Sequence, residues 1–247
     1  MLYLLIDIGN SNIKIAYSDS KNIKSVIAKS YSKKVFSSDF KNILKSFKKY
    51  PDKIGISCLD TKIIKIVSKI ILGKYKNYPY FINTKTKLPI KLDYENTLGS
   101  DRISSAVSAV SEFGKKTNIL VIDFGTCTTY NFINKGVFSG GLISPGILTS
   151  FKSITKFTSL PKAKYNIPES LFSKKTKENI SWGIIYQSFF TTEGIVKRLK
   201  NKYKSLKVIS TGGLSDIFKK SEGLIDYYDI YLVLKGIQEI LNYQNKK

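Results

Sequence analysis

The sequence predicts an α/β protein built as two related halves, and three observations predict it. An apolar strand, an Asp-x-Gly, a small polar turn and a second strand occur twice, as LYLLIDIGNSNIKIAY over Leu2–Tyr17 and ILVIDFGTCTTYNFI over Ile119–Ile133. After each turn the residues alternate with period two, the signature of a hairpin. Ile13, Ile15 and Tyr17 alternate with Lys14 and Ala16 in the first copy, and Thr128, Tyr130 and Phe132 with Thr129 and Asn131 in the second. Strand and helix signals then alternate through the rest of the chain, as α/β layers require.

The elements follow in order. Met1–Ile6 is apolar, but Asp7 ends it too early for a signal-peptide core, so it reads as a buried first strand. Asp39–Lys49 reads as a helix with Phe40, Ile43, Leu44 and Phe47 on one face. Lys53–Cys58 is a short apolar strand, Thr61–Leu72 an amphipathic helix, Tyr80–Ile82 a strand, and Ser104–Phe113 a helix after the loop Leu98–Arg102. In the second half Ile180–Lys202 is a long helix, Lys207–Ser210 a strand, Leu214–Phe218 the start of a helix and Asp229–Asn242 a closing helix. The two hairpin copies lie nearly half a chain apart, too far for a solenoid repeat. They imply two domains, residues 1–116 and 117–247, meeting at the polar stretch Lys115–Asn118.

Composition narrows the chemistry. The 247 residues, 42% hydrophobic, suffice for two packed cores. No apolar run reaches the roughly 18–20 residues of a membrane span, so a membrane partner is not expected. Histidine is absent, which excludes Ser-His-Asp and Cys-His mechanisms and leaves a carboxylate, lysine or tyrosine as any general base. Cys58 and Cys127 stand alone, in neither a metal-type pair nor a disulfide framework, and a cytoplasmic location is the default. The net charge of +23 attracts polyanions in general. It is carried by lysines spread along the chain, with only Arg102 and Arg198 as arginines, whereas specific nucleic-acid readout favours arginine. A solvated lysine-rich surface is the expected meaning, and a nucleic-acid partner is not expected.

Five short motifs could carry chemistry, and each has an ordinary structural alternative. In Asp7-Ile8-Gly9-Asn10-Ser11 the glycine lets backbone approach a phosphate, Asn10 and Ser11 can bond its oxygens, and Asp7 can hold Mg²⁺ through water; an ordinary hairpin turn would look the same. Asp123-Phe124-Gly125-Thr126-Cys127-Thr128-Thr129 repeats the pattern, or is a threonine-rich strand. Gly99-Ser100-Asp101-Arg102 places a potential base beside a guanidinium, or is a helix cap with Arg102 on the surface. Gly140–Gly146 (GGLISPG) reads as a loop with open N–H groups, or a connecting turn. Ser210–Leu214, with Gly212 and Gly213, suits a nucleotide at a helix N-terminus, or a plain strand-to-helix turn.

Taken in order, DIGNSNIK, GSDR, DFGTCTT, GGLISPG, TGG at Thr211–Gly213 and LKG at Leu234–Gly236 resemble the type III pantothenate kinase family over nearly the whole chain. The resemblance implies two ribonuclease-H-like domains of the acetate and sugar kinase, actin and heat-shock ATPase superfamily, with ATP in the cleft. It implies phosphorylation of pantothenate, the first step toward coenzyme A. By similarity Asp101 is the general base. Asp7 serves Mg²⁺-ATP, with Gly9, Asn10, Ser11 and Lys14 at phosphate. Asp123 sits by a monovalent cation, K⁺ or NH₄⁺, while Gly125, Thr126, Thr128 and Thr129 line the nucleotide and Gly212 and Gly213 border adenosine. Tyr94, Gly99, Ser100 and Arg102 lie on the pantothenate side. The family is typically a homodimer, with Thr176 matching a threonine offered to the neighbouring subunit's pocket. The chain departs from the family pattern at Ser11, where threonine is usual, at Ile56–Asp60, where a Ser-Ser-Val-Val-Pro-like run is usual, and at Ser173-Lys174-Lys175, where a glycine often precedes Thr176. A kinase of another small alcohol, or a regulatory or nucleic-acid-binding protein on the same fold, are the competing readings.

Overall fold

The computed structural model describes residues 1–218 and 223–245. The pairs Lys219-Lys220 and Lys246-Lys247 lie outside the described residues. In chain order the elements are β1 (Tyr3–Ile8), β2 (Asn12–Ser18), β3 (Ile23–Ser30), α1 (Phe36–Leu44), β4 (Lys53–Cys58), α2 (Thr61–Tyr75), β5 (Tyr80–Phe81), β6 (Lys91–Leu92), α3 (Ser100–Phe113), β7 (Asn118–Phe124), β8 (Cys127–Asn134), β9 (Val137–Pro145), α4 (Ile147–Phe157), α5 (Thr176–Lys202), β10 (Lys207–Thr211), β11 (Tyr227–Tyr228) and α6 (Leu232–Gln244). They group into two compact units. The first comprises Met1–Lys116, Gly136–Ser139 and Tyr231–Lys247, and the second Thr117–Lys135 and Gly140–Ile230.

The first unit is a mixed sheet in the order β3-β2-β1-β4-β5. β1 pairs antiparallel with β2 and parallel with β4, so its continuous apolar run is buried on both faces. On one face Leu4, Ile6, Ile13, Ile15 and Ile56 meet Phe36, Phe40 and Ile43 of α1 and Ile63, Val67 and Ile71 of α2. Full burial of a side chain of this size contributes about 1.5–3 kcal/mol. α2 is started by Asp60, whose carboxylate accepts from the Lys62 and Ile63 N–H groups, and stopped by Lys76 in a left-handed conformation at φ 53°.

The other face receives α3 and α6. Gly236 of α6 lies directly on the Ser104 backbone of α3, where any Cβ would collide with the Ser104 carbonyl. The LKG motif therefore has a packing role, since it lets the helix that carries Asp101 and the helix α6 touch backbone to backbone. Gln238 of α6 is buried and accepts from Ser18 Oγ at 2.6 Å, tying α6 to the end of β2.

The second unit repeats the pattern. β7 pairs antiparallel with β8 and parallel with β10, within the order β11-β10-β7-β8-β9. Its core gathers Leu120, Ile122, Phe124, Val196, Val208 and Phe218, and Phe124 stacks on Phe218 with ring centroids 4.2 Å apart. The two units have the mixed sheets of two ribonuclease-H-like domains.

Four expectations are corrected. The helix expected at Ser104 begins at Ser100, so Ser100, Asp101 and Arg102 form its first turn rather than a loop. The helix expected over Asp39–Lys49 spans Phe36–Leu44. Gly140–Pro145 belongs to β9, and Gly146 is the extended residue that precedes α4, because paired glycines do not prevent an exposed strand from pairing. Leu214–Phe218 contains a short 3₁₀ turn, Ser215–Phe218. Among the described residues no helix is long and apolar enough to cross a membrane.

Candidate active site

In the first unit the site grows from the carboxyl end of β1. Gly9 N–H donates to Asn12 O at 3.0 Å, closing a tight turn with Asn10 and Ser11 at its tip, both exposed. One residue before the strand ends, half-buried Asp7 stands opposite Lys14 on β2 and Ser57 on β4. In register, the three side chains share a face. The buried Ser57 hydroxyl lies 3.0 Å from the Ser100 hydroxyl at the start of α3.

Asp101 is the next residue. Its Oδ1 accepts the Arg102 N–H at 2.8 Å, at the positive end of α3. Gly99 makes this fold-back possible, because a Cβ there would stand 2.5 Å from Asp101 Oδ1. Burial pushes the Asp101 carboxyl above the usual carboxylate range, against the smaller opposing pull of the Arg102 N–H and guanidinium. Arg102, expected at the surface by the capping reading, is 7% exposed. Its guanidinium lies over the rings of Tyr94 and Phe138, 5.2 and 5.3 Å from their centroids, and Nη1 donates to Tyr94 Oη at 3.4 Å.

A small cavity of about 40 Å³ is lined by Gly9, Asn10, Lys33, Ser57, Asp60 and Asp101, among others. The fold thus brings the Gly9–Asn10 turn and Asp101, more than 90 residues apart, to one recess. Lys33, Ser57 and Asp60 were missed by sequence reasoning. The thiol of Cys58 also faces this cavity, but burial pushes it up to about 11, so it is neutral at ordinary pH. A wider groove of about 610 Å³ lies between α1 and α2, and no carboxylate lines it.

In the second unit Asp123 occupies the position equivalent to Asp7, half-buried between Thr129 on β8 and Thr211 on β10. Gly125 N–H donates to Cys127 O at 3.1 Å, and the turn exposes Thr126 and Cys127. Thr128 is buried, and Thr129 Oγ1 accepts from Asn131 Nδ2 at 3.1 Å. The start of α4 holds this turn: Gly146 N–H and the Thr149 hydroxyl both donate to Thr126 O, at 3.1 and 2.6 Å. Gly212, at φ 95°, presses on Asp123, where a Cβ would stand 2.5 Å from Oδ1 and 2.6 Å from Phe124 backbone. Gly213 beside it is exposed.

The donor sets fit the ions that the motifs imply. Among the described residues no three His, Cys, Asp or Glu cluster as a protein-only metal cage. Mg²⁺ bound with a nucleotide needs one or two carboxylates plus phosphate oxygens, which Asp7 beside the Gly9 turn could supply. A monovalent cation takes oxygen ligands, and Asp123 offers its carboxylate in a cradle that only glycine at 212 leaves open. Thr176 is exposed at the first position of α5, after a segment held by the Ser173 hydroxyl and the Lys175 ammonium on Glu178 at 2.5 and 2.9 Å.

Two α/β units, each with an aspartate at the end of a central strand beside a glycine turn, give the paired ribonuclease-H-like fold that sugar kinases also have. Solved structures share the fold. A conserved Baf-family protein of Campylobacter jejuni, described as a transcriptional activator, superposes with a TM-score of 0.63 at 23% identity, over 99% of this chain and 100% of that one. An inorganic polyphosphate/ATP-glucomannokinase of Arthrobacter superposes with a TM-score of 0.53 at 13% identity, over 99% of each chain. The sequence profile of type III pantothenate kinase matches residues 3–198. Relatives named type III pantothenate kinase include one from Cytophaga hutchinsonii, 41% identical over 66% of this chain and 71% of its own length, and one from Agathobacter rectalis, 32% identical over 100% and 99%. The chain belongs to the type III pantothenate kinase family, and so to the phosphate-transferring enzymes.

Proposed function

We propose that this protein transfers the γ-phosphoryl group of ATP to the primary hydroxyl of pantothenate, giving 4'-phosphopantothenate at the entry to coenzyme A synthesis, with Asp101 as the general base. Family membership supports the reaction, and the cavity shared by Asp101 and the Gly9–Asn10 turn is the observation that carries the assignment of the base. Asp101 takes the hydroxyl proton as the new O–P bond forms. The bond from Pγ to the bridging oxygen breaks, and its electron pair leaves with ADP. A carboxylate whose pKa is raised by burial is a stronger base than an exposed one, and the Arg102 guanidinium beside it limits the rise.

The other residues position and neutralise, which is most of what phosphoryl transfer asks of a protein. Asn10, Ser11 and Lys14 hold phosphate, and Asp7 would hold Mg²⁺ through water. Gly125, Thr126, Thr128 and Thr129 serve the nucleotide, Gly212 and Gly213 the adenosine, and Asp123 would hold K⁺ or NH₄⁺. When bound, these cations offset charge on the phosphates. Tyr94, Gly99, Ser100 and Arg102 form the pantothenate side, where the buried guanidinium suits an anionic substrate. A cytoplasmic homodimer, with Thr176 serving the neighbouring subunit, completes the proposal.

The test is ADP release from Mg²⁺-ATP with pantothenate and K⁺ or NH₄⁺, run beside Asp101→Asn. Pantothenate-dependent turnover that needs the monovalent cation and falls roughly 10²–10⁴-fold in the variant is expected. A folded wild-type protein with no pantothenate-dependent turnover, or a variant as fast as wild type, would sink the reading.

A further inference from the structure

The cavity beside Asp101 contains a cation that none of the assigned roles uses. Lys33 lines it together with Gly9, Asn10 and Asp101. The segment bearing Lys33 is clasped to the phosphate turn at two points. Tyr31 N–H donates to Ser11 O at 3.1 Å, and the Tyr31 hydroxyl to Gly9 O at 2.7 Å. Lys33 Nζ rests on Asp60 Oδ2 at 3.0 Å, with side chains 61% and 31% exposed.

That ion pair is a weak hold. Exposed pairs contribute little, because water and salt screen them. Asp60 does not depend on Lys33 either, since its Oδ1 already accepts the Lys62 and Ile63 N–H groups at the start of α2. A terminal phosphoryl group brings more negative charge than one carboxylate, and it spreads charge over three oxygens as it transfers. A lysine on a flexible four-carbon stem can exchange one anion for the other without backbone movement.

We propose that Lys33 is a further catalytic residue, a cation that leaves Asp60 for the γ-phosphoryl group of the bound nucleotide. The inference rests on the kinase reading above, and Asp60 is the resting partner that keeps the ammonium at the cavity when no phosphate is there.

The experiment compares binding of Mg²⁺-AMP-PNP and Mg²⁺-ADP to the full chain by calorimetry, with turnover measured alongside. Lys33→Met is expected to weaken AMP-PNP about tenfold, leave ADP unchanged and lower kcat roughly 10–100-fold, with Lys33→Arg recovering most of the loss. Asp60→Asn keeps an N-cap side chain but removes the competing charge, so it should tighten AMP-PNP. Lys34→Met, one residue away, controls for general surface charge and should match wild type. Equal weakening of AMP-PNP and ADP by Lys33→Met, no weakening of either, or an Asp60→Asn variant that copies the loss would each overturn the assignment of Lys33. A wild-type protein that binds neither nucleotide would overturn the kinase reading itself, a result distinct from failure of Lys33 alone.

Discussion

The hairpin at Asp7 and the hairpin at Asp123 share a backbone plan and differ in chemistry. Each aspartate stands one residue before the end of a strand that pairs antiparallel on one side and parallel on the other. Asp7 has a lysine and a serine as register neighbours, whereas Asp123 has two threonines. The first turn is clasped by a tyrosine hydroxyl, the second by a glycine N–H and a threonine hydroxyl from the start of a helix. The repeated backbone supplies an aspartate beside open backbone groups, and the flanking side chains decide what each copy can hold. Cationic Lys14 suits the first unit to phosphate, and the neutral hydroxyls of the second suit it to nucleotide and a small cation.

Two pairs of variants and two single variants test that contrast. The largest effect is expected on stability. Gly212→Ala meets both a left-handed φ and a contact at 2.5 Å, whereas a Cβ at Gly9 meets nothing nearer than 3.6 Å. Thermal melts should show Gly212→Ala losing about 3 kcal/mol, a fall of roughly 6–12 °C in Tm, and Gly9→Ala staying within about 0.5 kcal/mol. Equal losses would mean that the two turns are equally constrained.

Next comes turnover. Lys14→Met removes a charge and should lower kcat/KM about 100-fold, while Thr129→Val removes one neutral hydrogen bond and should cost about fivefold. Steady-state kinetics with ATP varied would read both, and the reverse ranking would exchange the roles of the two hairpins.

Asp101 gives a smaller, pH-dependent effect. Its raised pKa means that the folded state binds more protons than the unfolded state between the ordinary carboxylate value and the raised one. Stability is therefore lost as pH rises through that window. Asp101→Asn should melt above wild type at neutral pH, with the gap closing as pH falls. The acid limb of kcat/KM should also lie above the ordinary carboxylate value of about 4. The smallest effect is Tyr31→Phe, which removes the clasp on Gly9 O and should cost about 1 kcal/mol in a denaturant titration.

Both hairpins, the strand Lys53–Cys58, the helix at Thr61 and the existence of a closing helix, which starts at Leu232 rather than Asp229, were legible in the sequence, because continuous apolar runs and one-sided helical faces leave a periodic trace. β3 was not legible. It is an edge strand with mostly exposed residues, and a bulge near Ser25, at φ 55°, breaks its alternation where the pairing with β2 shifts register. β9 hid behind its glycines, and α4 buries only Ile147 and Phe151, too little for a face to stand out.

The site divides in the same way. GSDR and the two Asp-x-Gly turns are contiguous and could be read directly. Lys33 and Asp60 lie 27 residues apart in sequence and meet at 3.0 Å only because the chain folds back beyond β3 to the end of β4. Asp60 did leave one signal, since it falls where the family's Pro-containing run was expected.

The backbone contact of Gly236 with Ser104 has a consequence for how the molecule is made. The wall behind the Asp101 helix is contributed by residues 232–244, which leave the ribosome after the whole second unit. At roughly 5–20 residues per second, translation leaves the first sheet without that wall for about 6–25 s. A nascent chain can therefore complete its second unit before its first, and the Asp101 helix gains its backing only with α6.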